Sequence, residues 1–434
     1  MSAKSLPQDS QSIEALWPQV TIGQLASDGT LWITNGYAQG THNEAGKGVP
    51  HLRPFNITVS AQIDLSLVKS VEAPNRNSPY WLNSGDILFN NTNSEELVGK
   101  VAYFDLDGEF VLSNHMTIIR IKNQSILNGR WLAYLLFYLF GKGVFRALCR
   151  RHVNQASISL ARLKGLAIPL PPLPEQRAIA QVLRTVQEAR EKTGAVIEAT
   201  KELKKAMMKH LFTYGPVPLE EAAKVPMKET EIGMVPEEWK VKKLTDISTL
   251  YTGGTPKREC HQYWNGNIPW IKSGELLDSR VSTSQEFITE EGFVNSSTKY
   301  VDKGTILIAL YGATAGKVGL AESKITINQA ICAIVPKSQL CSEFGFYYLM
   351  TIREKLLCER YGGAQPNLSQ QIIKNISVPV PPILIQQQIA GLLTTIDQKL
   401  AAEESSRQAL DALFKTLLHD LMTARIRVKD ITVQ

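Results

Sequence analysis

The chain contains few cysteines, and their arrangement argues against a disulfide framework. Five cysteines stand among 434 residues, an odd number, and no Cys-x-x-Cys pair occurs. This pattern favours a reduced compartment and no zinc site. The N-terminus is polar and lacks a signal peptide, and the most hydrophobic run, residues 131–140, is too short to cross a bilayer. The sequence therefore predicts a cytoplasmic protein that binds no metal and contacts no membrane.

Motifs of enzyme chemistry are also scarce. Residues 312–318 (GATAGKV) resemble a phosphate-binding loop, but the run is one residue short and lacks the Ser or Thr that would bind magnesium. Residues 77–80 (NSPY) resemble the Asn-Pro-Pro-Tyr motif of adenine methyltransferases, but Ser78 replaces a proline and no glycine-rich cofactor loop accompanies them. No His-x-x-x-His pair, nucleophile elbow or nuclease-like acidic cluster stands out. We therefore predict no catalytic residue in this chain.

Bulk composition sets broader limits. The length suggests two to four domains, since a single core of this size is uncommon. A hydrophobic share of 44% and a charged share of 20% are ordinary for a globular protein. The net charge of +6 mildly favours a polyanionic partner.

A duplicated stretch organises the sequence. Residues 168–213 and 378–423 align without a gap at an offset of 210, and 13 of the 46 aligned pairs are identical. The copies open as IPLPPLPEQ and VPVPPILIQ, and each continues for about 40 residues without an interior break. A repeat with so long a period indicates two duplicated halves rather than a solenoid.

The spacing of apolar residues within each copy predicts one long helix. Steps of three and four join a predicted seam of Ile179, Val182, Val186, Ala189, Thr193, Val196, Thr200, Leu203 and Met207 in the first copy. The second copy gives Ile389, Leu393, Ile396, Leu400, Leu410, Phe414, Leu417 and Leu421, with a polar middle around residues 403–407. Such a narrow seam favours a partner helix alongside, and we predict that the two helices pair with each other.

The segments that precede the helices also share landmarks in the same order. Trp17 corresponds to Trp239, residues 49–53 (VPHLR) to 268–272 (IPWIK), 85–88 (GDIL) to 304–307 (GTIL) and 99–101 (GKV) to 316–318 (GKV). Asn114-His115 matches Asn328-Gln329, and Gln155 matches Gln365. The two predicted helices match each other closely, whereas the two globular segments match only loosely. This difference predicts one scaffold that carries two recognition surfaces.

Local patterns give a coarse reading of the first segment. Residues 102–104 and 110–111 flank a predicted hairpin turn, residues 116–121 form a predicted strand, and residues 130–149 form a predicted helix. Residues 214–238 contain Pro216, Pro218, Pro226 and Pro236 and are predicted to connect the halves.

Loops of both segments carry residue types suited to nucleic acid. Cations neutralise phosphates, small residues admit a close backbone approach, and amides and hydroxyls read base edges. Candidates in the first segment are Asn35, Tyr37, Arg53, Asn90, Asn91, Lys100, Asn114, His115 and Arg151. Candidates in the second segment are Thr252, Gly253, Gly254, Thr255, Lys257, Lys272, Ser273, Tyr311, Thr314, Lys317, Gln329, Arg360, Tyr361 and Gln365. Any one of these could be an ordinary polar turn, but the set recurs at matching places in both halves.

At this point the chain resembles the specificity subunits of type I restriction–modification systems over nearly its whole length. The resemblance rests on the two proline-rich openings with Glu175-Gln176 and Gln386, on residues 203–208 (LKKAMM), on 421–428 (LMTARIRV) and on 233–239 (GMVPEEW). The second opening departs from the family pattern, because Ile385 stands where a glutamate is expected.

The resemblance implies an α+β fold in which two mixed α/β target-recognition domains are separated by two long helices that pair as an antiparallel coiled coil with pseudo-two-fold symmetry. The implied segments are a first recognition domain (1–155), a first spacer helix (156–215), a linker (216–238), a second recognition domain (239–366), and a second spacer helix with a tail (367–434). Each recognition domain would read one half of a bipartite site in double-stranded DNA, and the helices would fix the spacing.

Cofactors and partners follow from the same resemblance. Two methylation subunits would dock on the helices and hold S-adenosylmethionine, and restriction subunits would use ATP, so this chain would bind neither cofactor. Two other interpretations remain open from the residues alone. One is a stand-alone adenine methyltransferase built around residues 77–80, and the other is a protein scaffold that contacts no DNA.

Overall fold

The computed structural model describes residues 17–38, 41–42, 46–153, 155–358 and 367–428. These residues divide into two compact units. Unit 1 comprises Met1–Thr193 together with Ser406–Gln434, and unit 2 comprises Gly194–Ser405. The C-terminal tail thus belongs to the unit formed by the N-terminal half.

Unit 1 is built from short strands, four complete helices and parts of both long helices within its described part. Its strands are β1 (Gln19–Thr21), β2 (Leu31–Asn35), β3 (Val49–Leu52), β4 (Lys69–Val71), β5 (Ile87–Asn90), β6 (Thr92–Asn93), β7 (Val101–Tyr103), β8 (Val111–Leu112), β9 (Met116–Ile121), β10 (Arg150–Arg151), β11 (Ala156–Ser157) and β12 (Ala167–Pro169). Its helices are α1 (Ile22–Ser27), α2 (Gly129–Gly141), α3 (Val144–Leu148), α4 (Leu160–Lys164) and the first half of α5 (Leu173–Tyr214). A 3-10 turn covers Pro54–Asn56.

Unit 2 shares much of this order and adds a two-stranded hairpin in front of it. Its strands are β13 (Met227–Thr230), β14 (Gly233–Pro236), β15 (Lys240–Lys243), β16 (Ser248–Thr252), β17 (Trp264–Ile271), β18 (Ser279–Val281), β19 (Glu286–Ile288), β20 (Lys299–Val301), β21 (Ile306–Ala309), β22 (Val318–Ala321), β23 (Ile325–Ile327), β24 (Ile331–Pro336) and β25 (Ser377–Val380). Its helices are α6 (Leu244–Ile247), α7 (Glu290–Val294), α8 (Ser342–Cys358), α9 (Gln370–Lys374) and the first half of α10 (Ile383–Met422). The second half of α5 also belongs to unit 2, and the second half of α10 belongs to unit 1. Three further 3-10 turns cover Leu219–Lys224, His261–Tyr263 and Ser273–Glu275.

The two main sheets of each unit have corresponding strand orders. Unit 1 contains the antiparallel sheet β2-β9-β5-β7 and the sheet β4-β3-β8, in which β3 and β8 are parallel. Unit 2 contains β16-β24-β21-β22-β18 and β19-β17-β23-β20, in which β17 and β23 are parallel. The strand just before the first short helix of each unit also pairs with the strand just before the long helix, as β1 with β12 and β15 with β25. The scaffold predicted from the shared landmarks is therefore confirmed.

The long helices α5 and α10 contain 42 and 40 residues and pair antiparallel. In unit 1 Arg190 pairs with Asp411, and Glu175 pairs with Arg427. In unit 2 Lys204 pairs with Asp397 at 2.6 Å. Residue numbers rise along one helix as they fall along the other in every pair, which is the signature of antiparallel packing.

The inward face of α5 differs slightly from the predicted seam. At every second position of that seam, the residue that faces inward is the next one along the chain. Val196 and Leu203 are exposed, at 41% and 52%, whereas Ile197 is buried. The inward positions recur every seven residues as Leu183, Arg190, Ile197, Lys204 and Leu211. Two of these five residues are cationic and pair with aspartates on α10. A pattern based on apolar residues alone does not count such positions, and it therefore predicted the neighbouring face of the helix. On α10 all the predicted seam residues are buried or half-buried, and residues 404–409 are exposed.

A buried glutamine fastens the start of each long helix to its own unit. Gln176 accepts from the Asn128 amide at 2.8 Å and donates to the carbonyls of Ile126 and Pro171. Gln386 accepts from the Cys341 amide at 2.8 Å and donates to the carbonyls of Gln339 and Pro381. The duplicated glutamine therefore satisfies equivalent backbone groups before α2 and before α8, which fixes the angle at which each long helix leaves its unit.

The glutamate of the first opening forms a bridge that the second opening lacks. Glu175 accepts from Trp17 Nε1 at 3.1 Å and from Arg427 Nη2 at 2.8 Å, so it joins the N-terminal segment to the C-terminal tail within unit 1. Ile385 stands at the equivalent position and packs against the apolar core of unit 2. The departure from the family pattern thus replaces an ion pair with an apolar contact.

Several local predictions were wrong. Strands β7 and β8 join different sheets, so residues 102–111 form no hairpin. The helix predicted over residues 130–149 is divided into α2 and α3 by Gly143, whose φ is +73°. The connecting segment contains a hairpin of β13 and β14. Ser113, rather than Asn114, is equivalent to Asn328, because each donates its amide to the last carbonyl of the preceding parallel strand.

Candidate nucleic-acid interface

An open groove of about 580 Å³ in unit 2 brings together several of the predicted residues. It lies where β17 and β23 end and the loop after β16 begins. The lining residues are Thr255, Arg258, Trp270, Lys272, Ser273, Gly274, Glu275, Gln285, Asn328 and Gln329. Four of these residues were predicted from sequence: Thr255, Lys272, Ser273 and Gln329. That Thr255 and Gln329 lie together was not predictable, because they are far apart in the chain. The groove thus combines cations, amides and hydroxyls on one surface.

Glu286 organises the cations of this groove. Its carboxylate pairs with Lys272 and, at 2.5 Å, with Arg258. Burial opposes ionisation of Glu286, but hydrogen bonds from Lys272 and Arg258 outweigh it and lower the pKa of the carboxyl group. The carboxylate therefore stays ionised at neutral pH and holds both cations at the groove.

The 3-10 turn that follows Lys272 shapes the floor. The Lys272 amide donates to Glu275 Oε1 at 2.9 Å, and the Gln285 amide donates to Glu275 Oε2 at 2.9 Å. The Ser273 carbonyl accepts from Thr314 Oγ1 at 2.9 Å, so the predicted Ser273 and Thr314 are adjacent. Thr255 and Gln329 are joined through the Thr255 hydroxyl and Gln329 Oε1. These bonds fix the side chains before any ligand binds.

The two glycines of the predicted loop are required by internal packing. A Cβ on Gly253 would lie 1.9 Å from the Ile327 carbonyl oxygen, and one on Gly254 would lie 2.1 Å from Ser297 Oγ. Both residues are buried, and the Gly254 amide donates to the Ile327 carbonyl at 3.1 Å. The expectation that these backbone groups receive a phosphate is revised, because they seat the loop against β23 instead.

The remaining predicted residues of unit 2 lie around this region or apart from it. Thr252 is half-buried at the end of β16, and Lys257 is exposed in the following loop. Tyr311 is 39% exposed. Lys317 lies 3.4 Å from Asp278, which also pairs with Arg353, so its charge is compensated internally. Arg360, Tyr361 and Gln365 lie outside the described residues.

Unit 1 presents a matching edge at the ends of β2, β3 and β8. Asn35 and Asn114 are exposed there, and Tyr37 is bridged to Ser113. The Ser113 amide donates to the Leu52 carbonyl at 2.8 Å, which places the following Arg53 beside this bridge. The Arg53 guanidinium lies 4.2 Å from the ring of Phe55. The edge therefore carries amides, an aromatic ring and a cation.

Three predicted residues of unit 1 are interior. Asn91 is buried and donates to Asn35 Oδ1 at 3.2 Å and to Thr117 Oγ1 at 3.1 Å. Asn90 is fully buried in the sheet. Lys100 is 5% exposed, and its ammonium donates to the carbonyls of Pro54 and Ile57. Burial lowers the pKa of Lys100. These side chains support the exposed edge, so the expectation of direct ligand contact is revised for all three.

Two further predicted residues of unit 1 are exposed. His115 follows Asn114 in the turn before β9, and its amide donates to Ser113 Oγ at 3.4 Å. Arg151 is 72% exposed and pairs at 2.8 Å with Glu95, which also pairs with Arg146. Hydrogen bonds from Arg146 lower the pKa of Glu95. Arg151 therefore projects from β10 with its charge partly compensated.

The candidates chosen from the sequence include Lys257 but neither Arg258 nor the two tryptophans beside it. The guanidinium of Arg258 lies 3.9 Å from the Trp264 ring centroid and 5.0 Å from that of Trp270. Trp270 Nε1 donates to the Gly254 carbonyl at 2.9 Å. A cation followed by two tryptophans within twelve residues was the available signal, since aromatic residues commonly brace arginine.

The two surfaces occupy equivalent positions with different side chains. Arg53 and Lys272 each precede a 3-10 turn, and each amide is bonded to the third residue of that turn, Asn56 or Glu275. Asn35 is the last residue of β2, and Thr252 is the last residue of β16. Asn114 and Gln329 each follow the residue that bonds the parallel strand. The same frame therefore exposes two different sets of hydrogen-bonding groups.

The part of the chain that the structure describes shows no arrangement typical of a metal site, a methyltransferase motif or a membrane span. Within those ranges, no group of three or more His, Cys, Asp or Glu side chains is placed to hold a metal ion. The methyltransferase-like residues 77–80 form a turn on the surface, in which the Ser78 amide donates to the Asn75 carbonyl. None of the described helices combines the length and apolar character needed to cross a membrane.

Comparisons with known proteins agree with this arrangement. The profile of the family described as "Type I restriction modification DNA specificity domain" matches residues 44–199 and 236–412. A protein of Methanocaldococcus jannaschii, provisionally named as the MjaX type I restriction enzyme specificity subunit, is 30% identical over 387 residues and is covered to 88%, as is this chain. The EcoR124I/EcoR124II specificity subunit of Escherichia coli is 29% identical over 242 residues, which cover 54% of this chain and 56% of that protein.

A solved structure extends the likeness to the fold. The S subunit of a type I restriction–modification system from M. genitalium superposes with a TM-score of 0.63 at 19% identity, and the match covers 93% of this chain and 96% of that one. At this identity the likeness concerns the fold alone. The family profile matches both halves of the chain, and the MjaX relative matches most of its length. The chain therefore belongs to the family of type I restriction–modification DNA specificity subunits.

Proposed function

We propose that this specificity subunit is a non-catalytic reader of a bipartite DNA site, in which each unit reads one half-site. The observation that carries the proposal is the pair of equivalent edges, Arg53 with Asn35 and Asn114 in unit 1 and Lys272 with Thr252 and Gln329 in unit 2. A shared frame with divergent polar side chains suits two different base sequences, because phosphate contacts position a protein and side chains at base edges specify the sequence.

The long helices are proposed to fix the distance between the half-sites. Each helix starts in one unit and ends in the other, and residues 173–214 of α5 form one uninterrupted helix of about 63 Å. The ion pairs of Arg190 and Lys204 favour a single register, since a shift of one heptad in either direction would leave one of the two cations beside an apolar residue, Leu418 or Ala390.

The helices are also proposed to carry two methylation subunits. Ala199 and Leu203 on α5 are identical to their repeat counterparts Ala409 and Leu413 on α10, and all four are exposed. Core packing explains identity at buried repeat positions but not at exposed ones. Residues four apart share one helix face, so each helix presents the same Ala–Leu patch. Two equal patches suit two copies of one partner.

The two leucines provide a test of this docking. We expect Leu203→Glu and Leu413→Glu each to release one methylation subunit, because a carboxylate would be buried without a partner at the contact. Native mass spectrometry of the co-expressed complex should show one methylation subunit per chain for each single variant and none for the double variant. Lys201→Glu is the control, because Lys201 is exposed on the side of the same helix away from Ala199 and Leu203 and differs from its repeat counterpart Asp411. Retention of two subunits by the double variant would contradict docking at these patches.

The cofactors are proposed to belong to the partners. S-adenosylmethionine would be held by the methylation subunits and ATP by restriction subunits. Calorimetry of the purified chain with S-adenosylmethionine should give no saturable heat, whereas saturable binding would favour a methyltransferase.

The DNA contacts are tested by two cations at equivalent positions. We expect Lys272→Ala and Arg53→Ala each to weaken binding of the assembled complex and to reduce the slope of affinity against salt concentration by about one, since each removes one phosphate neutraliser. Lys303→Ala and Lys122→Ala are the controls, because both lysines are exposed and lie away from the proposed surfaces. Lys303 follows β20 at the opposite end of the sheet that carries Lys272, and Lys122 follows β9 at the end of its sheet opposite Asn35. Binding and salt slope measured by fluorescence anisotropy should change for the first pair only. Equal behaviour of all four variants would count against the proposed surfaces.

A further inference from the structure

The best-prepared side chain of the unit 2 groove is Arg258. Its guanidinium lies over Trp264 at 3.9 Å and near Trp270 at 5.0 Å, while Nη1 donates to Glu286 Oε2 at 2.5 Å. The two indoles are themselves held edge to face, with ring centroids 5.1 Å apart and planes at 82°. Arg258 is therefore supported on two sides and along one edge.

The tryptophans are fixed to the loop that carries Arg258. Trp264 Nε1 donates to the Lys257 carbonyl at 3.2 Å, and Trp270 Nε1 donates to the Gly254 carbonyl at 2.9 Å. Trp270 is 1% exposed. Both rings therefore keep their positions when the groove is occupied, and the arginine loses little further freedom on binding.

The free edge of this arginine has a defined chemistry. Within the described residues, the side-chain bond of Arg258 engages Nη1, which leaves the edge formed by Nε–H and Nη2–H. The side chain is 49% exposed and lines the groove. Two parallel N–H donors match O6 and N7 of guanine in the major groove, the commonest specific contact of arginine with DNA.

We propose that Arg258 reads a guanine in the half-site bound by unit 2 and that Glu286 is its positioning residue. The proposal rests on the proposed function of unit 2. Lys272 shares Glu286 but carries a single ammonium, which suits a phosphate rather than a base edge. The groove thus separates two tasks, with base reading at Arg258 and neutralisation at Lys272.

The test maps methylation by the complex of this chain with its methylation subunits on a plasmid library in which both half-sites are randomised. With the native chain, a guanine should be required at a fixed position of one half-site. Arg258→Ala should lower the preference for that guanine about tenfold or more and leave the other half-site unchanged. Arg258→Lys should not restore it, because lysine lacks the paired donors. Glu286→Gln should lower the preference partially.

Arg280→Ala is the matched control, since Arg280 is an arginine of the same unit that is 41% exposed, pairs with Glu322 and lies outside the groove lining. It should keep the native base preference. A uniform loss of methylation by Arg258→Ala without a change at one base would overturn the proposal, as would a half-site without guanine. If the native complex shows no pair of half-sites at all, the proposed function fails first, so the two failures are distinguishable.

Discussion

Removing one heptad from each long helix should shorten the preferred gap between half-sites by about three base pairs. Deletion of residues 191–197 from α5 and 404–410 from α10 removes about 10 Å from each helix, and a base pair occupies about 3.4 Å of the duplex. The pairs Arg190–Asp411 and Lys204–Asp397 lie outside the deleted segments. Seam positions seven residues apart replace one another, so the helices should still pair. The bases that are read should stay the same.

A library with fixed half-sites and gaps of every length measures this change by methylation sequencing. The native gap should lose most of its methylation, and a shorter gap should gain it. Deletion of five residues from each helix, 192–196 and 405–409, is the control, because it rotates the remainder of each apolar seam by about 140° away from its partner and should abolish assembly. Altered base preference at an unaltered gap would contradict a spacing role for the helices.

The long helices were predictable because duplication and apolar period are local properties of sequence. Their inward face was not fully predictable, since Arg190 and Lys204 occupy two seam positions and each is satisfied by an aspartate more than 190 residues away in sequence. A search for regularly spaced apolar residues treats charged seam positions as exposed. It therefore moved the seam to Val196 and Leu203, which the structure exposes.

The candidate interface divides in the same way. Lys272 and Arg53 were found because each ends a strand pattern shared by both halves. Lys100 was misjudged because its ammonium is satisfied by carbonyls of Pro54 and Ile57, more than 40 residues earlier in the chain. Arg258 was overlooked in favour of Lys257, although Glu286 and the two tryptophans that position it come together only through the sheet. Polar residues whose partners are distant in sequence are the ones that patterns assign poorly.

Gly253→Ala should abolish recognition of one half-site while the other is still read. A Cβ at this position would lie 1.9 Å from the Ile327 carbonyl oxygen and 2.5 Å from its carbonyl carbon, both backbone atoms that cannot move without β23. Overpacking of this kind costs about 1–3 kcal/mol or more. Because Asn328 and Gln329 follow Ile327 directly, relief of the clash displaces the groove that Gln329 forms with Thr255. We expect at least a tenfold loss of base preference in the half-site of unit 2.

Two further glycine variants make the test specific. Gly274→Ala, in the same groove but with no atom within 4 Å of the added Cβ, should keep the thermal unfolding midpoint of the native chain. Gly36→Ala should affect the opposite half-site, because its Cβ would lie 2.2 Å from the Leu112 carbonyl oxygen at the equivalent position of unit 1. Methylation sequencing on the doubly randomised library reads both effects at once. If Gly36→Ala and Gly253→Ala altered the same half-site, the assignment of one half-site to each unit would be wrong, because the two clashes lie in different units.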